Sequence, residues 1–299
     1  MFWPTTSKPV PLEELGWINA SYLGSAAPHS DPYLIWGTNA DMEAMEPFLA
    51  EMRKTTGTIV STAHVLVCAV AASLRDHPNV NRRVIGRKVY DYRGVNIVMP
   101  MLQTSTGEVD SVFLHGADKL SLKEIAGRFW NEARQRAVLK SRRQNEPSDS
   151  RWSRWDRLKR YLHLRWVHRM SRVGFFFANR FRLPVTWKWE QELHAAGAFV
   201  NYLGSPGAPP LINHKLASLP MNSYSIAVTL GPIEPRPAVV DGGVVVRKEA
   251  SLFVRVDHRF VNGHQAGEFV KTLRSYLMNP QALMQALEER SPVSQQRAA

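Results

Sequence analysis

Between Ser225 and Leu277 the chain has little freedom in what it can fold into. Ser225-Ile226-Ala227-Val228-Thr229-Leu230-Gly231 is a run of small and apolar residues of strand length, closed by a glycine. Val239-Val240-Asp241-Gly242-Gly243-Val244-Val245-Val246 places an Asp-Gly pair between two valine-rich arms. That is the strongest short-range signal for a hairpin, because both central turn positions need positive φ. Ser251-Leu252-Phe253-Val254-Arg255-Val256 continues with β-branched and aromatic residues. Gly263 breaks the run. From Gln265 to Leu277 the apolar residues Phe269, Val270, Leu273 and Leu277 fall at helical spacing. Strand, hairpin, strand, turn and helix follow one another with no room for a long loop. His258 sits at the end of the last strand, where Asn262-Gly263 opens the helix. Such a junction is a rigid mount for a general base. On spacing alone, a strand-end histidine with no role is the commoner case.

The wording of that junction adds to it. Asp257-His258-Arg259, two apolar residues and then Asn262-Gly263 resembles the signature of the 2-oxo-acid dehydrogenase acyltransferases, the dihydrolipoyl transacylases. The related chloramphenicol acetyltransferases carry a similar signature. The resemblance implies that His258 takes a proton from a thiol, coenzyme A or dihydrolipoyl, which then attacks a thioester. Asn262 stands where the family most often has Asp, although Asn also occurs there. An amide can orient groups but cannot act as a base. Gly197-Ala198-Phe199-Val200-Asn201-Tyr202-Leu203-Gly204 resembles the family strand that ends in a Leu-Gly turn. Asn201 aligns with a family serine whose hydroxyl stabilises the oxyanion, a task that a side-chain amide can also perform. A shifted alignment would make Ser205 the donor instead.

The implied fold is α/β: a chloramphenicol-acetyltransferase-like mixed sheet packed with helices, with an extra basic helical insertion. The resemblance runs from about Pro32 to Pro280. It divides the chain into an N-terminal arm (1–30), an acyltransferase-like catalytic domain (31–280) and a C-terminal helix and tail (281–299). Only about 30 residues precede the resemblance, against the complete folded lipoyl domain found in the family. The expectation is therefore that this chain carries no covalent lipoyl group. It would use a lipoyl or acyl carrier domain in trans, or acylate something else. In the family the active site is a channel at a trimer interface. A homotrimer is therefore expected, with His258 of one subunit working with Asn201 of its neighbour.

Local patterns fill in the rest. Asp31–Thr38 reads as a strand. Asn39 or Asp41 is positioned to cap a helix carrying Met42, Met45, Phe48, Leu49 and Met52, with an end at Lys54–Gly57. Thr62 to His77 is apolar nearly all round, which predicts a buried helix with Cys68 in the core. Val84–Val89, Gly94–Met101 and Val112–Leu114 read as strands. Ser121 and Glu124 form a capping box before a helix. The single cysteine excludes an internal disulfide and any cysteine-based metal cluster, and no metal is expected. With no apolar run of about 20 residues and no signal-like N-terminus, a cytoplasmic location is the expectation.

Charge is a further departure from the family pattern. The chain carries 38 Lys+Arg and 26 Asp+Glu. Residues 134–189 hold 16 of the basic and 3 of the acidic residues, which leaves 22 and 23 for the rest of the chain. All the excess positive charge is in this insertion. Within it Trp152, Trp155, Leu158, Leu162, Trp166, Met170, Val173 and Phe177 recur every three or four residues, a basic amphipathic helix. Three readings are open. The helix packs on the domain with a solvated basic face, or it lies on an anionic membrane surface, which would make the protein peripheral there. The third is a platform for polyanions such as CoA phosphates or an acidic carrier. No zinc-finger or RNA-binding motif supports nucleic acid. The leading functional expectation is a stand-alone CoA-dependent acyltransferase. The alternative is a non-catalytic trimeric scaffold or membrane-associated assembly protein derived from the same fold.

Overall fold

The computed structural model describes residues 7–9, 33–85, 88–102, 109–145, 173, 196–204 and 224–288. In chain order the elements are β1 (Ser7–Pro9), β2 (Tyr33–Asp41), α1 (Met45–Thr56), α2 (Thr62–Asp76), β3 (Arg82–Ile85), β4 (Lys88–Tyr92), β5 (Ile97–Leu102) and β6 (Val109–Leu114). After a short 3-10 turn at Ala117–Lys119 come α3 (Leu122–Asn145), β7 (Ala198–Tyr202), β8 (Ile226–Val240), β9 (Gly243–Asp257), α4 (Gly263–Met278) and α5 (Pro280–Glu288).

Six strands form one mixed sheet in the order β2-β9-β8-β7-β5-β6. β7 runs parallel to β5 and β8, and the other pairs are antiparallel. β1, β4 and β3 form a separate three-stranded sheet. Strand alternation sorts the large sheet into two faces. Val256, Val254, Leu252, Ile226, Val228, Leu230, Ala198, Val200, Ile97 and Leu114 all join the main core with α2 and α4. Helix α2 is buried along its whole length, from Val65 to Leu74, with Cys68 fully inside. An all-apolar helix has no face to give to water, so burial between sheet and helices is the only stable place for it. The expected α/β fold, a mixed sheet packed with helices, is observed.

Some local expectations change. The first helix begins at Met45 behind Ala44, not at a cap on Asn39 or Asp41. Pairing with β9 carries β2 on to Asp41, which overrides the local cap signal. Asp41 instead accepts from the Glu43 N–H at 2.9 Å, turning the chain into the helix. The stretch Val84–Val89 is not one strand. It holds the end of β3 and the start of β4, which fold back on each other with Val84 opposite Val89. Gly57, with φ of 63°, ends α1 as expected. Apart from Val173, which is helical and exposed, the predicted helix over 152–177 lies outside the described residues, as do Ser205 and most of the N-terminal arm.

Candidate active site

His258 is held by a turn that the sequence encodes at both ends. Phe260 and Val261 are buried in the core, and they pull the chain inward just after β9. The Phe260 and Val261 N–H groups donate to the Asp257 carbonyl at 3.4 and 3.2 Å. Asp257, itself buried, accepts the Arg259 backbone N–H at 3.0 Å. The Arg259 guanidinium also clamps Asp257, at 2.9 Å from Nε and 2.5 Å from Nη2. Burial pulls the Arg259 pKa down, but the hydrogen bonds and charge of Asp257 more than offset this and leave it raised. Behind the clamp, the Arg255 guanidinium stacks on the Tyr33 ring, 4.0 Å from its centroid.

This turn delivers the Val261 carbonyl to His258 Nδ1 at 2.7 Å. A carbonyl oxygen only accepts, so Nδ1 must carry the proton. In the neutral ring the lone pair is then on Nε2, the nitrogen that points away from the turn's backbone. A half-buried imidazole fixed in one tautomer is the arrangement a general base needs.

Asn262 has a structural task. Its Oδ1 accepts the Gln265 N–H at 2.9 Å, and the Gln265 side chain accepts the Asn262 N–H at 3.1 Å. This reciprocal cap starts α4. It fixes the helix directly behind His258, and it engages the oxygen of Asn262 while its amide NH2 keeps its donors.

Asn201 is elsewhere. It lies on β7, half-buried, on the same side of the sheet as Phe199 and opposite the Val200 side that enters the main core. Asn201 pairs with Thr229 and Thr229 with Phe253, five residues before His258. At about 3.3 Å per residue and about 4.8 Å per strand, the two side chains are roughly 20 Å apart in one chain. The structure therefore brings His258 and Asn262 together and leaves Asn201 at the opposite end of the sheet. The start of β7, beside the His258 end, is braced: Tyr92 Oη donates to the Ala196 carbonyl at 3.2 Å and Ser225 Oγ to Gly197 at 2.9 Å. Burial pushes the Tyr92 hydroxyl up to about 12. A Cβ on Gly197 would come within 2.6 Å of Asn81 Oδ1, so this approach requires glycine.

Sequence reasoning singled out His258 as a candidate but did not foresee the contacts that hold it. The bond from Nδ1 to Val261 is a backbone contact and leaves no mark in side-chain identity. The Asp257–Arg259 clamp was legible in principle, since an acid and a base two residues apart across a tight turn can meet.

Residues 210–285 match the model of the 2-oxoacid dehydrogenases acyltransferase catalytic domain, so the resemblance carried by the His258 signature is borne out there. The lipoamide acyltransferase component of the branched-chain alpha-keto acid dehydrogenase complex of Pseudomonas aeruginosa is 34% identical over 96 residues. That match spans 31% of this chain and 21% of the relative. The Pseudomonas putida counterpart is 32% identical over 95 residues, with the same coverage. The chain thus matches about a fifth of the length of these curated relatives. The fold is shared with the solved dihydrolipoamide acetyltransferase of Azotobacter vinelandii, at a TM-score of 0.56 and 17% identity, covering 93% of each chain. That enzyme was studied for the role of a serine, a histidine and an asparagine in its catalytic mechanism, the last two four residues apart. A chloramphenicol acetyltransferase shares the fold at a TM-score of 0.53 and 12% identity, over 91% of this chain and 99% of that one.

Proposed function

We propose that the chain is a stand-alone CoA-dependent acyltransferase that moves an acyl group between CoA and a thiol or other small acceptor. The observation that carries this reading is the 2.7 Å contact from His258 Nδ1 to the Val261 carbonyl, which assigns the acceptor lone pair to Nε2. A thiol with a pKa of ~8.5 is mostly protonated at neutral pH, whereas an imidazole with a pKa of ~6.5 is mostly free to accept. In the reaction, Nε2 takes the S–H proton as sulfur attacks the thioester carbonyl. The carbonyl oxygen becomes an oxyanion and accepts from an amide N–H, the role assigned to Asn201. The carbon–sulfur bond to the departing thiolate then breaks, and the imidazolium returns the proton to it. Atoms and charge balance without a metal or a redox partner. Asn262 stands four residues after His258, the spacing named for the Azotobacter vinelandii enzyme. Its role here is to fix α4 and to present an amide NH2 beside the base.

The separation of roughly 20 Å along the sheet supports an assembly in which a neighbouring copy's Asn201 completes the site. A homotrimer is the reading favoured by the family resemblance. Acyl-CoA is the donor, and a lipoyl or acyl carrier domain in trans is the natural thiol acceptor. The basic aromatic segment 134–189 is a docking surface for such an anionic partner or an anionic membrane surface.

The test is acyl transfer from acetyl-CoA to dihydrolipoamide, followed by thiol release, with His258→Ala in parallel. Turnover in the wild type that disappears in the variant is the expected result. No turnover together with no CoA binding by calorimetry would overturn the reading and leave a non-catalytic scaffold.

A further inference from the structure

An asparagine at position 201 sets a requirement that a serine would not. A hydroxyl is a single group that rotates to suit its partner, whereas an amide has two ends of opposite character. Nδ2 donates to an oxyanion. Oδ1, turned the same way, repels it. The two ends are nearly equal in shape, so packing alone does not choose between them. A site that uses Asn201 needs a neighbour that donates to Oδ1 and leaves Nδ2 for the substrate.

β8 supplies such a neighbour. Thr229 is the register partner of Asn201 across the parallel β7–β8 pair. Val228 and Leu230 on β8, and Val200 on β7, belong to the main core. Alternation therefore puts Thr229 and Asn201 side by side on the other face, on strands about 4.8 Å apart. The surroundings there are apolar: Phe253 is the partner of Thr229 on β9, and Ala227 and Phe199 share a neighbouring rung. Thr229 is only 2% exposed, and Asn201 is half-buried. Valine would suit the strand as well as threonine does, so the hydroxyl is what Thr229 adds to this rung. A buried hydroxyl without a partner is costly. The other hydroxyls of this face are engaged elsewhere. Ser225 Oγ donates to the Gly197 carbonyl at 2.9 Å, and Ser251 Oγ accepts from Arg236 at 2.9 Å. Among the described residues no hydrogen bond engages the side chain of Thr229 or of Asn201. On adjacent strands in register, rotation about the side-chain bonds brings a threonine Oγ1 within reach of an asparagine Oδ1.

We propose that Thr229 is a positioning residue: its hydroxyl donates to Asn201 Oδ1 and so presents the Nδ2 hydrogens to the oxyanion. The inference rests on the acyltransferase reading and on the role given there to Asn201. No atom of Thr229 is exchanged in the reaction. As sulfur attacks, the π electrons of the thioester carbonyl move onto its oxygen, and the Asn201 N–H donates to the charge that forms. The pair returns to the carbon–oxygen bond when the carbon–sulfur bond to the departing thiolate breaks. Donation to Oδ1 also polarises the amide, which makes its N–H a stronger donor. Apolar neighbours on the same face strengthen both bonds by keeping water away.

The test is steady-state transfer from acetyl-CoA to dihydrolipoamide by the full chain, with Thr229→Val and Thr229→Ser made in three backgrounds: wild type, Asn201→Ala and Asn201→Ser. Valine keeps the shape of threonine and removes the hydroxyl. In the wild-type background Thr229→Val should lower kcat by about tenfold, with KM changed by less than about twofold. Thr229→Ser, which keeps the hydroxyl, should stay within about twofold to threefold of wild type. In the Asn201→Ala and Asn201→Ser backgrounds Thr229→Val should change kcat by less than about twofold, because no amide is left to orient. A Thr229→Val chain with wild-type kcat overturns the inference. So does an equal loss in all three backgrounds, which would mean that Thr229 acts by itself or through the fold. If Thr229→Val does not fold, Thr229→Ala in the same backgrounds decides by the same comparison. A wild type that transfers nothing overturns the inference and, if calorimetry also finds no CoA binding, the acyltransferase reading with it. A wild type that transfers and is matched by its valine variant overturns the inference alone.

Discussion

Two histidines at opposite ends of the sheet are set to opposite tautomers by the backbone. His258 Nδ1 faces the Val261 carbonyl and must donate. His64 Nδ1 faces the Ser61 N–H at 3.2 Å and must accept. His64 is on the first turn of α2, near the Asn201 end, where the Tyr202 hydroxyl bonds the Thr62 side chain. It is buried against the Phe129 ring, with centroids 5.1 Å apart. His258 is half-buried and braced by an ion pair between buried Asp257 and partly buried Arg259. One end of the sheet thus offers a fixed proton acceptor. The other holds its histidine in a helix cap and offers only Asn201 as a polar group on the free side of β7. Each end is complete as structure, and under the proposed acyltransferase reading the catalytic centre takes one end from each of two copies.

The largest effect is expected at the base. His258→Ala should lower transfer by about 10²–10⁴, the usual contribution of a positioned general base. Its melting temperature should fall by a few degrees, since the carbonyl of buried Val261 loses the Nδ1–H donor. A fall of less than threefold in steady-state rate would break the contrast between the two ends.

Asn201→Ala should cost about 10²–10³ in kcat with little change in KM, as for loss of one oxyanion donor. The sharper form is a mixing experiment. Equal amounts of His258→Ala and Asn201→Ala chains, dissociated and reassembled, should regain about a quarter of wild-type activity if each site borrows one residue from each of two copies. A site within a single chain predicts no recovery.

Asp257→Asn acts on the brace. It keeps an acceptor for the Arg259 backbone N–H but leaves a mostly buried guanidinium without its counter-charge. Breaking such a pair typically costs about 3 kcal/mol. Loss of the turn's grip on His258 should lower kcat by roughly tenfold or more, in line with small misplacements of catalytic groups. Urea unfolding and initial rates measure the two separately. A rate loss without a stability loss would mean that Asp257 acts on the chemistry and not through the turn.

Much of this was legible beforehand, and the reasons differ by element. The 225–277 run specified its strands, hairpin and helix because alternation, the Asp-Gly turn and helical spacing agree there. Helix α2 was legible because nothing but burial suits Val65–Leu74. The Ser121–Glu124 cap was read correctly, with Glu124 accepting the Ser121 N–H at 2.8 Å. The start of α1 was not, because Asn39–Asp41 are claimed by pairing with β9, a partner more than two hundred residues away. The split between β3 and β4 was hidden because both arms are β-formers. At the site, His258 was visible through its neighbours. The distance to Asn201 was not, since it depends on strand order and register across three strands, which local sequence does not encode.

The smallest effect separates the two histidines by pH. Burial lowers the His64 pKa to about 4. The unfolded chain binds that proton near pH 6.5, the ordinary imidazole value. Between these values the unfolded state holds more protons than the folded state, so stability rises with pH across the window. This contribution is fully present above about pH 6.5 and is lost as pH falls toward 4, by up to roughly 3 kcal/mol. Protonation would also remove the Nδ1 lone pair that accepts from Ser61, so burial of the charge and loss of the cap bond both oppose it. His64→Gln isolates the effect. Glutamine three residues into a helix makes the usual capping-box bond to the N-cap N–H but has no charge to gain. Carboxylates titrate in both proteins and cancel in the difference. Urea unfolding of the two should give curves that run parallel above pH 7, with the wild type losing ground below 6.5. Parallel curves down to pH 4 would mean that His64 takes up its proton in the folded state. The burial that distinguishes the Asn201 end from the His258 end would then be absent.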